Sequence, residues 1–515
     1  MIDTIFRQIV LQNETKVAVI EEGRKFSYQH IWEQKDKLSR YLRYTLGIQA
    51  GDQIGIFLPN SVDFIISFFA CAEIRAVSIP LNIHFKEREL QFFLTRCSFA
   101  AFITQEHLYS FLRHSFHQIP DNRFIIISEI MEIHRDSALP VSAAAQHPAP
   151  KPDPEADIIF FTTSGSTGIP KIFSKSQRAV IAGAENVAQA IKITKHDRVL
   201  SVVPFYFAYG FSNCLFLPLL KGATIVMMKQ FLPRQAIQIL QDESITLFFG
   251  SPFIYSTLAE VSSQDHHLSS IRFCFSAGAM LPRGLGETFF KKFGLRVRAL
   301  YGLSETGTIS IQMGDQDEDH HSLGKPLPNI EIKIGNEYDL KGSQIHQGEI
   351  LIKSPALMSG YIGDRELTTK SFQQGFFRTG DLGKLDRQGR VCLCGRIKRI
   401  INVAGINVDP VEIENVLVAF PKIRDAFVMA VTNKRGIEII KAIIVAQPDC
   451  QRGEVIEYCK KKLADYKIPR LVEFKERLPH NIMGKVMSPQ WEVKSEFSSS
   501  QSQKITLHGN DQEND

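Results

Sequence analysis

The chain has 515 residues, more than one hydrophobic core usually organises, so we expect at least two domains. Its 44% hydrophobic and 22% charged residues, with 33 Gly and 23 Pro, are typical of a globular enzyme and exclude a disordered or fibrous protein. The net charge of +5, from 60 basic and 55 acidic residues, is too small and too even to indicate a nucleic-acid partner.

Eight scattered cysteines favour reduced thiols and a cytoplasmic location over a disulfide framework. The one close pair, Cys392 and Cys394, lies on a predicted strand without two further soft ligands nearby, so we expect no zinc site there. The N-terminus carries Asp3, Arg7 and Glu14 and has no apolar signal core, so the mature protein is expected to begin here.

Apolar strand-like runs alternate with amphipathic helices in the first part of the chain. The pattern predicts a strand at 53–58, a helix at 61–74 and a strand at 76–80. This alternation is typical of an α/β fold. A Pro- and Ala-rich surface connection at 139–154 then precedes a strand at 158–161.

Residues 199–220 contain no charged side chain and are long enough to cross a bilayer. Pro204 and Pro218 interrupt them, which predicts a strand at 199–203, an aromatic turn at 205–211 and then the start of a helix. The stretch therefore indicates a buried pocket wall, and we expect no integral membrane span.

The last part of the chain predicts a change of architecture. Strands at 348–354 and 390–394 flank a turn and indicate a β-rich subregion. Further on, Asp409, Pro410 and Glu412 are a helix start, with Asp as the cap, Pro in the first turn and Glu reaching back to the cap.

These patterns predict three parts. The first is a large domain at 1–394, built from α/β subdomains with the β-rich subregion. A small α+β domain follows at 395–494. The Ser-, Gln- and Asp-rich tail at 495–515 is expected to be disordered.

A run rich in hydroxyl groups and glycine follows the strand at 158–161. Its glycines permit a tight turn, its N–H groups and hydroxyls can surround phosphate oxygens, and its lysine adds a cation. Because Pro170 precedes that lysine and Ile172 follows it, the run is not a P-loop. An amphipathic helix, apolar from Val180 to Ile191, is expected to open after the loop. The predicted phosphate-binding residues are Thr163, Ser164, Gly165, Ser166, Thr167, Gly168 and Lys171.

The loop resembles the phosphate loop of the adenylate-forming superfamily, which contains acyl-CoA synthetases, firefly luciferase and nonribosomal-peptide adenylation domains. Further segments are similar to the other motifs of that superfamily and follow in the same order, at 276–279, 301–306, 378–381, 395–405 and 481–485. On these motifs the chain is identified as a member of its AMP-dependent synthetase and ligase family, similar to acyl-CoA and aryl-CoA synthetases.

The resemblance implies that a carboxylic acid is adenylated by ATP, with release of pyrophosphate, and then transferred to coenzyme A. It implies catalytic roles for Lys485, at the substrate carboxylate and α-phosphate, for Lys171, at the β and γ phosphates, and for Glu305, at Mg²⁺. The other implied nucleotide contacts are Ser304 at the α-phosphate, Gly278, Ala279 and Tyr301 at adenine, and Asp381 and Arg396 at the ribose.

The resemblance also implies that the small domain is mobile. It would first close with Lys485 inward and then rotate about a hinge at Lys398, so that the segment around Gly405 lines the tunnel for the thiol. Relatives carry either Asp or Lys at the hinge position, so Lys398 does not separate the subfamilies.

The acid is predicted to be aromatic or a medium-chain fatty acid. The residues Phe207, Ala208, Tyr209 and Gly210 are similar to a stretch of benzoate-type CoA ligases, and Thr308 would lie at the pocket floor. An α-amino acid is not expected, because residues 204–218 contain no acidic side chain to pair with its ammonium group.

Two alternatives remain open. A stand-alone adenylation enzyme would load the acyl group onto the phosphopantetheine of a carrier protein, and a non-catalytic homologue would only bind nucleotide. A luciferase-like oxygenase is less favoured, because Asn402 stands where that group carries lysine. A homodimer is possible under each of these hypotheses.

Overall fold

The computed structural model describes residues 2–133, 153–163, 171–262, 268–314, 322–337, 347–399, 401–403, 406–432 and 438–479. Helices and strands alternate through the first two thirds of these residues, and strands dominate the remainder. The predicted α/β class, with a β-rich subregion and an α+β end, is confirmed.

Residues 2–133 alternate helices with strands. The strands predicted at 53–58 and 76–80 are confirmed to within one residue, and the Ser61 hydroxyl accepts a hydrogen bond from the Phe64 N–H at the start of the predicted helix. The elements are α1 (Ile2–Asn13), β1 (Val17–Glu21), β2 (Arg24–Ser27), α2 (Tyr28–Arg40), β3 (Gln53–Phe57), α3 (Val62–Ile74), β4 (Val77–Pro80), α4 (Glu87–Leu94), β5 (Phe99–Thr104), α5 (Glu106–Ser115), β6 (Phe124–Ile126) and α6 (Ile127–Ile133).

Residues 153–314 continue this alternation. The uncharged stretch at 199–220 is divided, as predicted, into a strand and a helical segment, whose middle turn at Phe211–Phe216 is a π-helix. The elements are β7 (Asp157–Thr163), β8 (Lys171–Ser176), α7 (Gln177–Ile191), β9 (Arg198–Ser201), α8 (Ala208–Gly210), α9 (Leu217–Leu220), β10 (Thr224–Met227), α10 (Pro233–Asp242), β11 (Leu247–Gly250), α11 (Pro252–Val261), β12 (Phe273–Ser276), α12 (Arg283–Phe293), β13 (Val297–Leu303) and β14 (Gly307–Ile311).

Residues 322–479 contain mainly strands. The elements are β15 (Lys325–Pro326), β16 (Glu331–Glu337), β17 (Gly348–Lys353), β18 (Gly360–Tyr361), α13 (Arg365–Lys370), β19 (Phe372–Gln373), β20 (Phe376–Leu385), β21 (Val391–Arg396), β22 (Ile401–Val403), β23 (Ile406–Val408), α14 (Pro410–Val418), β24 (Ile423–Thr432), β25 (Glu438–Ala446), α15 (Arg452–Lys462) and β26 (Leu471–Phe474). Short 3₁₀ turns at Ile397–Arg399 and Asp465–Lys467 link some of them.

Two large sheets organise the first part of the protein. Their strand orders are β18-β8-β7-β4-β3-β5-β6 and β15-β14-β13-β12-β11-β9-β10-β1-β2. Most neighbours are parallel, whereas β7 with β8 and β13 with β14 form antiparallel hairpins. Helix α3 is buried on nearly every side, and its apolar sequence, with Phe64, Phe68 and Phe69 at most 2% exposed, accounts for that position.

The β-rich subregion is a separate sheet of order β16-β17-β20-β19, with β21 added to β20. Its buried face, which includes Ile350, Ile352 and Val391, packs with Tyr301 and Ile309 of the nine-stranded sheet. The subregion therefore lies against the hairpin β13–β14, which carries the predicted nucleotide motif.

The C-terminal elements have a hydrophobic cluster of their own, from Ile401 to Leu463. This separate core agrees with a domain boundary near residue 395, which stays a prediction.

The Asp409 carboxylate accepts from the Val411 N–H and caps α14 as expected. The predicted contact of Glu412 with the cap is wrong, because Lys467 attracts its carboxylate instead, at 2.7 Å. The predicted tail at 495–515 lies outside the described residues.

None of the helices in the part of the chain that the structure describes combines the length and the apolarity that a bilayer crossing requires.

Candidate active site

The predicted phosphate loop connects the strands of a β-hairpin. The strands β7 and β8 pair antiparallel, with Thr163 opposite Lys171, so the two ends of the loop lie side by side. The loop residues Ser164, Gly165, Ser166, Thr167 and Gly168 lie outside the described residues. The hairpin nevertheless fixes where the loop starts and ends.

The amphipathic helix predicted after the loop is confirmed as α7, whose buried residues include Val180 and Ile191, but a strand separates it from the loop. The strand β8 comes first, and α7 begins only at Gln177, with the Ser176 hydroxyl accepting from the Ala179 N–H. The reason is the cross-strand pairing with β7, which satisfies the backbone of residues 171–176 as a ladder. The described residues after the loop therefore begin a strand rather than a helix.

A tight turn joins β13 to β14 and carries Ser304 and Glu305. The Thr306 hydroxyl accepts from the Leu303 N–H at 3.1 Å and donates to the Gly307 carbonyl at 2.9 Å, which fixes the turn internally. A Cβ at Gly302 would lie 2.3 Å from the Gly307 carbonyl oxygen, so the hairpin closes only because that side chain is missing.

We predict that Gly302→Ala lowers the thermal midpoint of unfolding, because the new methyl group must displace the Gly307 backbone rather than a flexible side chain. The control is Gly286→Ala in α12, where a Cβ meets no atom within 4 Å. Alanine is the better helix former, so that variant should keep or raise the midpoint. Equal midpoints for the two variants, measured by circular dichroism, would contradict the role of Gly302.

Tyr301, Asp381 and Arg396 form one hydrogen-bonded cluster. The Tyr301 hydroxyl donates to Asp381 Oδ2 at 2.8 Å, and Arg396 Nε donates to Asp381 Oδ1 at 2.7 Å. Asp381 and Arg396 are also cross-strand partners in β20 and β21. The Asp381 side chain is 2% exposed and that of Arg396 is 47% exposed, so the pair faces solvent through the guanidinium. Burial, with the adjacent Asp381 carboxylate, raises the pKa of Tyr301 well above its usual range.

Gly278 and Ala279 follow the strand next to β13, which carries Tyr301. They follow β12, which is parallel to β13 with Ser276 opposite Ala299, so both strand ends meet at one edge of the sheet. Gly278 has φ of +91°, a left-handed conformation that favours glycine. The structure thus brings Tyr301, Asp381 and Arg396 together, and the strand pairing places Gly278 and Ala279 after the neighbouring strand.

Glu305 is 8% exposed and lies among hydroxyl and amine groups. Its Oε1 accepts from the Tyr361 hydroxyl at 2.9 Å, and the Lys171 Nζ lies 4.9 Å from the centre of the Tyr361 ring. An ionised carboxylate has about four acceptor sites, so this one keeps capacity for a further ligand. A hard ion such as Mg²⁺, completed by phosphate oxygens and water, fits this oxygen donor.

Lys175 is a second lysine of β8 near Glu305 and is 6% exposed. Its Nζ donates to the Ala356 carbonyl at 2.7 Å. Burial lowers the pKa of Lys175 to about 8, and the negative charge of Glu305 opposes that shift. The predicted metal carboxylate therefore has a buried amine on one side and Tyr361 on another.

A small cavity lies next to this turn, and Thr308, the predicted pocket floor, lines it. The predicted residues Phe207, Ala208, Tyr209 and Gly210 lie just before Phe211, Ser212 and Asn213, which line the same cavity. The Tyr209 hydroxyl donates to the Gly250 carbonyl at 3.3 Å. The assignment of these residues to the acyl pocket stays a prediction.

Besides the loop residues, three further predicted residues have side chains that the structure does not describe. Lys485 and Gly405 lie outside the described residues, and Lys398 is described only by its backbone, in the 3₁₀ turn between β21 and β22. Their catalytic, tunnel and hinge roles stay predictions.

Sequence reasoning missed Tyr361 and Lys175. Tyr361 is far from Glu305 along the chain, and no local pattern joins them. A signal for Lys175 was present. Side chains two residues apart on a strand point to the same side of the sheet, so Lys175 shares one face of β8 with Lys171 and Phe173. A lysine that shares a strand face with a phenylalanine indicates either a strand edge or a buried charge.

Comparisons with known proteins agree with this geometry. Residues 6–362 match the AMP-binding enzyme family and residues 412–485 match the AMP-binding enzyme C-terminal domain. The long-chain-fatty-acid–CoA ligase of Bacillus subtilis is 28% identical, over 92% of this chain and 90% of its own. The benzoate–CoA ligase of Thauera aromatica is 27% identical, over 94% of both chains.

The fold comparison gives the same result. The structure of o-succinylbenzoate coenzyme A synthetase from Bacillus subtilis, in complex with ATP and magnesium ion, has a TM-score of 0.82 and 26% identity, over 94% of this chain and 98% of that chain. Because the first family match alone covers more than half of its residues, the protein belongs to the family of AMP-binding enzymes.

Proposed function

We propose that the protein is an acid–thiol ligase, which activates an aromatic or medium-chain carboxylic acid with ATP and transfers the acyl group to coenzyme A. The relatives support this reaction class, since they are named as ligases or synthetases of CoA with fatty, benzoic and succinylbenzoic acids. The same names favour CoA over a carrier protein as the acceptor.

One observation carries the nucleotide assignment. Tyr301 lies near the end of β13 and donates a hydrogen bond to Asp381 Oδ2, and Glu305 follows it by four residues in the adjoining turn. A nucleotide with adenine beside Tyr301 and ribose hydroxyls at Asp381 would therefore extend its phosphates towards Glu305 and the start of β8, where Lys171 lies. The Asp381 carboxylate would accept hydrogen bonds from the ribose hydroxyls at one end of ATP. Lysine side chains near Glu305 would attract the phosphates at the other end.

The chemistry requires charge neutralisation. A carboxylate oxygen of the acid attacks the α-phosphorus, the bond to the β-phosphate oxygen breaks, and pyrophosphate leaves. The thiol sulfur then attacks the acyl carbon, loses its proton and displaces AMP. Lys171 would hold the leaving phosphates and Lys485 would bridge the two reacting anions, because opposed negative charges must be screened in the transition state.

Glu305 would hold Mg²⁺ together with phosphate oxygens, and the ion would supply further neutralisation of the phosphate charge. The hydrogen bond from Tyr361 keeps the carboxylate oriented from one side.

A homodimer and a cytoplasmic location are also proposed. Sedimentation tests the homodimer, and cell fractionation tests the location.

The test is carboxylate-dependent ATP–pyrophosphate exchange across benzoates, cinnamates and fatty acids of graded length, repeated with CoA to detect a thioester. We expect exchange with at least one acid, together with the corresponding acyl-CoA. Exchange without thioester would move the proposal to a carrier-protein acceptor. No exchange with any acid would favour a non-catalytic nucleotide-binding protein.

A further inference from the structure

A short segment, residues 356–361, joins the turn that carries Glu305 to the strand that begins with Lys171. The Met358 N–H of this segment donates to the Glu305 carbonyl at 2.8 Å. The last two residues of the segment form β18, which pairs antiparallel with β8. Backbone hydrogen bonds therefore fix the segment against both the turn and the strand.

Tyr361 is the residue of this segment whose side chain contacts both charged groups. Its hydroxyl donates to Glu305 Oε1 at 2.9 Å, and Lys171 Nζ lies 4.9 Å from the centre of its ring. The first contact is a hydrogen bond to a charged acceptor, and the second is a cation–π contact, which acts within about 6 Å of a ring centre. One side chain thus touches the predicted metal carboxylate and the predicted phosphate lysine.

The Tyr361 hydroxyl is a stable donor to Glu305. Burial, with the neighbouring Glu305 carboxylate, raises the pKa of Tyr361 far above its usual range, so the hydroxyl keeps its proton at neutral pH. An ionised carboxylate has about four acceptor sites, so a single donor on Oε1 leaves acceptor sites on both oxygens. The hydrogen bond therefore orients the carboxylate without using all of its capacity for a metal ion.

Glu305 has an alternative partner within the site. The residue is 8% exposed, and its negative charge raises the pKa of the buried Lys175 amine, so the two groups interact. A buried carboxylate that loses a hydrogen bond is expected to turn towards such a cation, because an uncompensated buried charge is costly. A carboxylate turned towards a lysine offers fewer lone pairs to a metal ion.

We propose that Tyr361 is a positioning residue of the ligase, which keeps the Glu305 carboxylate available to Mg²⁺ and the Lys171 ammonium available to the phosphates of ATP. The hydroxyl acts on the carboxylate and the ring acts on the ammonium, so the two effects can be separated by substitution. This inference rests on the proposed function, since it requires that ATP and Mg²⁺ bind at this site.

The experiment compares ATP binding with and without the metal ion. Isothermal titration calorimetry gives the dissociation constant of ATP in Mg²⁺ and again in EDTA, and neither value depends on turnover. Tyr361→Phe removes the hydroxyl and keeps the ring. It should weaken binding by about tenfold in Mg²⁺, because removing a hydrogen-bond partner of a metal ligand has at least this effect on metal affinity. In EDTA the change should stay below about twofold, because the ring remains under the ammonium.

A second substitution tests the ring. Tyr361→Leu removes both contacts, so it should weaken ATP binding in EDTA as well, by about threefold, the usual effect of losing a partly exposed cation–π contact.

The control is Tyr28→Phe. Tyr28 is fully buried, its hydroxyl donates to the Ala223 carbonyl at 2.6 Å, and Lys16 Nζ lies 5.7 Å from the centre of its ring. It therefore has the same two kinds of contact with groups to which we assign no nucleotide or metal. This variant should lower the thermal midpoint of unfolding and leave both dissociation constants unchanged.

Three outcomes overturn the positioning role while leaving the proposed function intact: equal weakening by Tyr361→Phe in Mg²⁺ and in EDTA, no weakening in either, or the same Mg²⁺-specific loss in Tyr28→Phe. Failure of the unaltered protein to bind ATP under both conditions instead overturns the proposed function on which the inference rests.

Discussion

Asp381→Asn is expected to lower kcat/KM for ATP by about 100-fold. The carboxylate accepts from Tyr301 and from Arg396, and under the ribose assignment it also accepts from the two ribose hydroxyls when ATP is bound. Two charge-assisted hydrogen bonds at about 1.5 kcal/mol each give about 3 kcal/mol, which corresponds to that factor. An asparagine keeps the volume but turns an amide N–H₂ towards one of the existing donors. The measurement is the ATP dependence of pyrophosphate exchange.

The matched control is Asp197→Asn. Asp197 is 3% exposed and pairs with Arg272, which is 38% exposed, so its burial and partner resemble those of Asp381 and Arg396. It precedes β9 and accepts from Thr194 and Thr246, away from the β13–β14 turn. This variant should lose stability without a change in the KM for ATP. An equal effect of both substitutions on that KM would contradict the ribose assignment of Asp381.

The α/β class could be predicted from the sequence because the signal is local. The apolar run at 53–58 predicts a strand, and the pattern that begins at Ser61 predicts a helix. The structure has a strand and a helix at these places. The family could be predicted because its motifs lie at short sequence intervals, such as Tyr301 to Glu305. Both predictions are confirmed by the element order and the family match.

The element after the phosphate loop could not be predicted in the same way. Residues 171–176 do not alternate regularly between polar and apolar side chains, and the helical period that begins near Val180 is the stronger local signal. Pairing with β7 decides the conformation, and such pairing is a tertiary interaction that a local pattern does not contain.

The polar environment of the candidate site was also not predictable. Tyr361 reaches Glu305 from β18, the edge strand beside β8, and Asn213 becomes a buried acceptor only through the fold around the π-helical turn. The sequence identifies the side chain at position 175, but it does not show that this lysine is only 6% exposed. Burial is a property of the packed structure, so a local sequence pattern does not contain it.

Lys485→Ala is expected to reduce adenylate formation by about 10²- to 10³-fold, the usual effect of removing one group that stabilises developing negative charge. The physical reason is the approach of the acid carboxylate to the α-phosphate, two anions that one ammonium would bridge. Thioester formation from a preformed acyl-adenylate should change by less than about fivefold, since no phosphorus–oxygen bond to the acid forms in that step. Single-turnover assays measure the two half-reactions separately.

The control is Lys467→Ala, which removes another lysine of the C-terminal part whose partner is Glu412. The Lys467 side chain is 19% exposed and that of Glu412 is 46% exposed, so solvent screens the pair and both half-reactions should stay near wild type. If Lys485→Ala slowed both half-reactions equally, the small domain would not present different faces in the two steps, and the rotation about Lys398 would be wrong. Loss confined to adenylation would agree with a role of Lys485 in the first half-reaction alone.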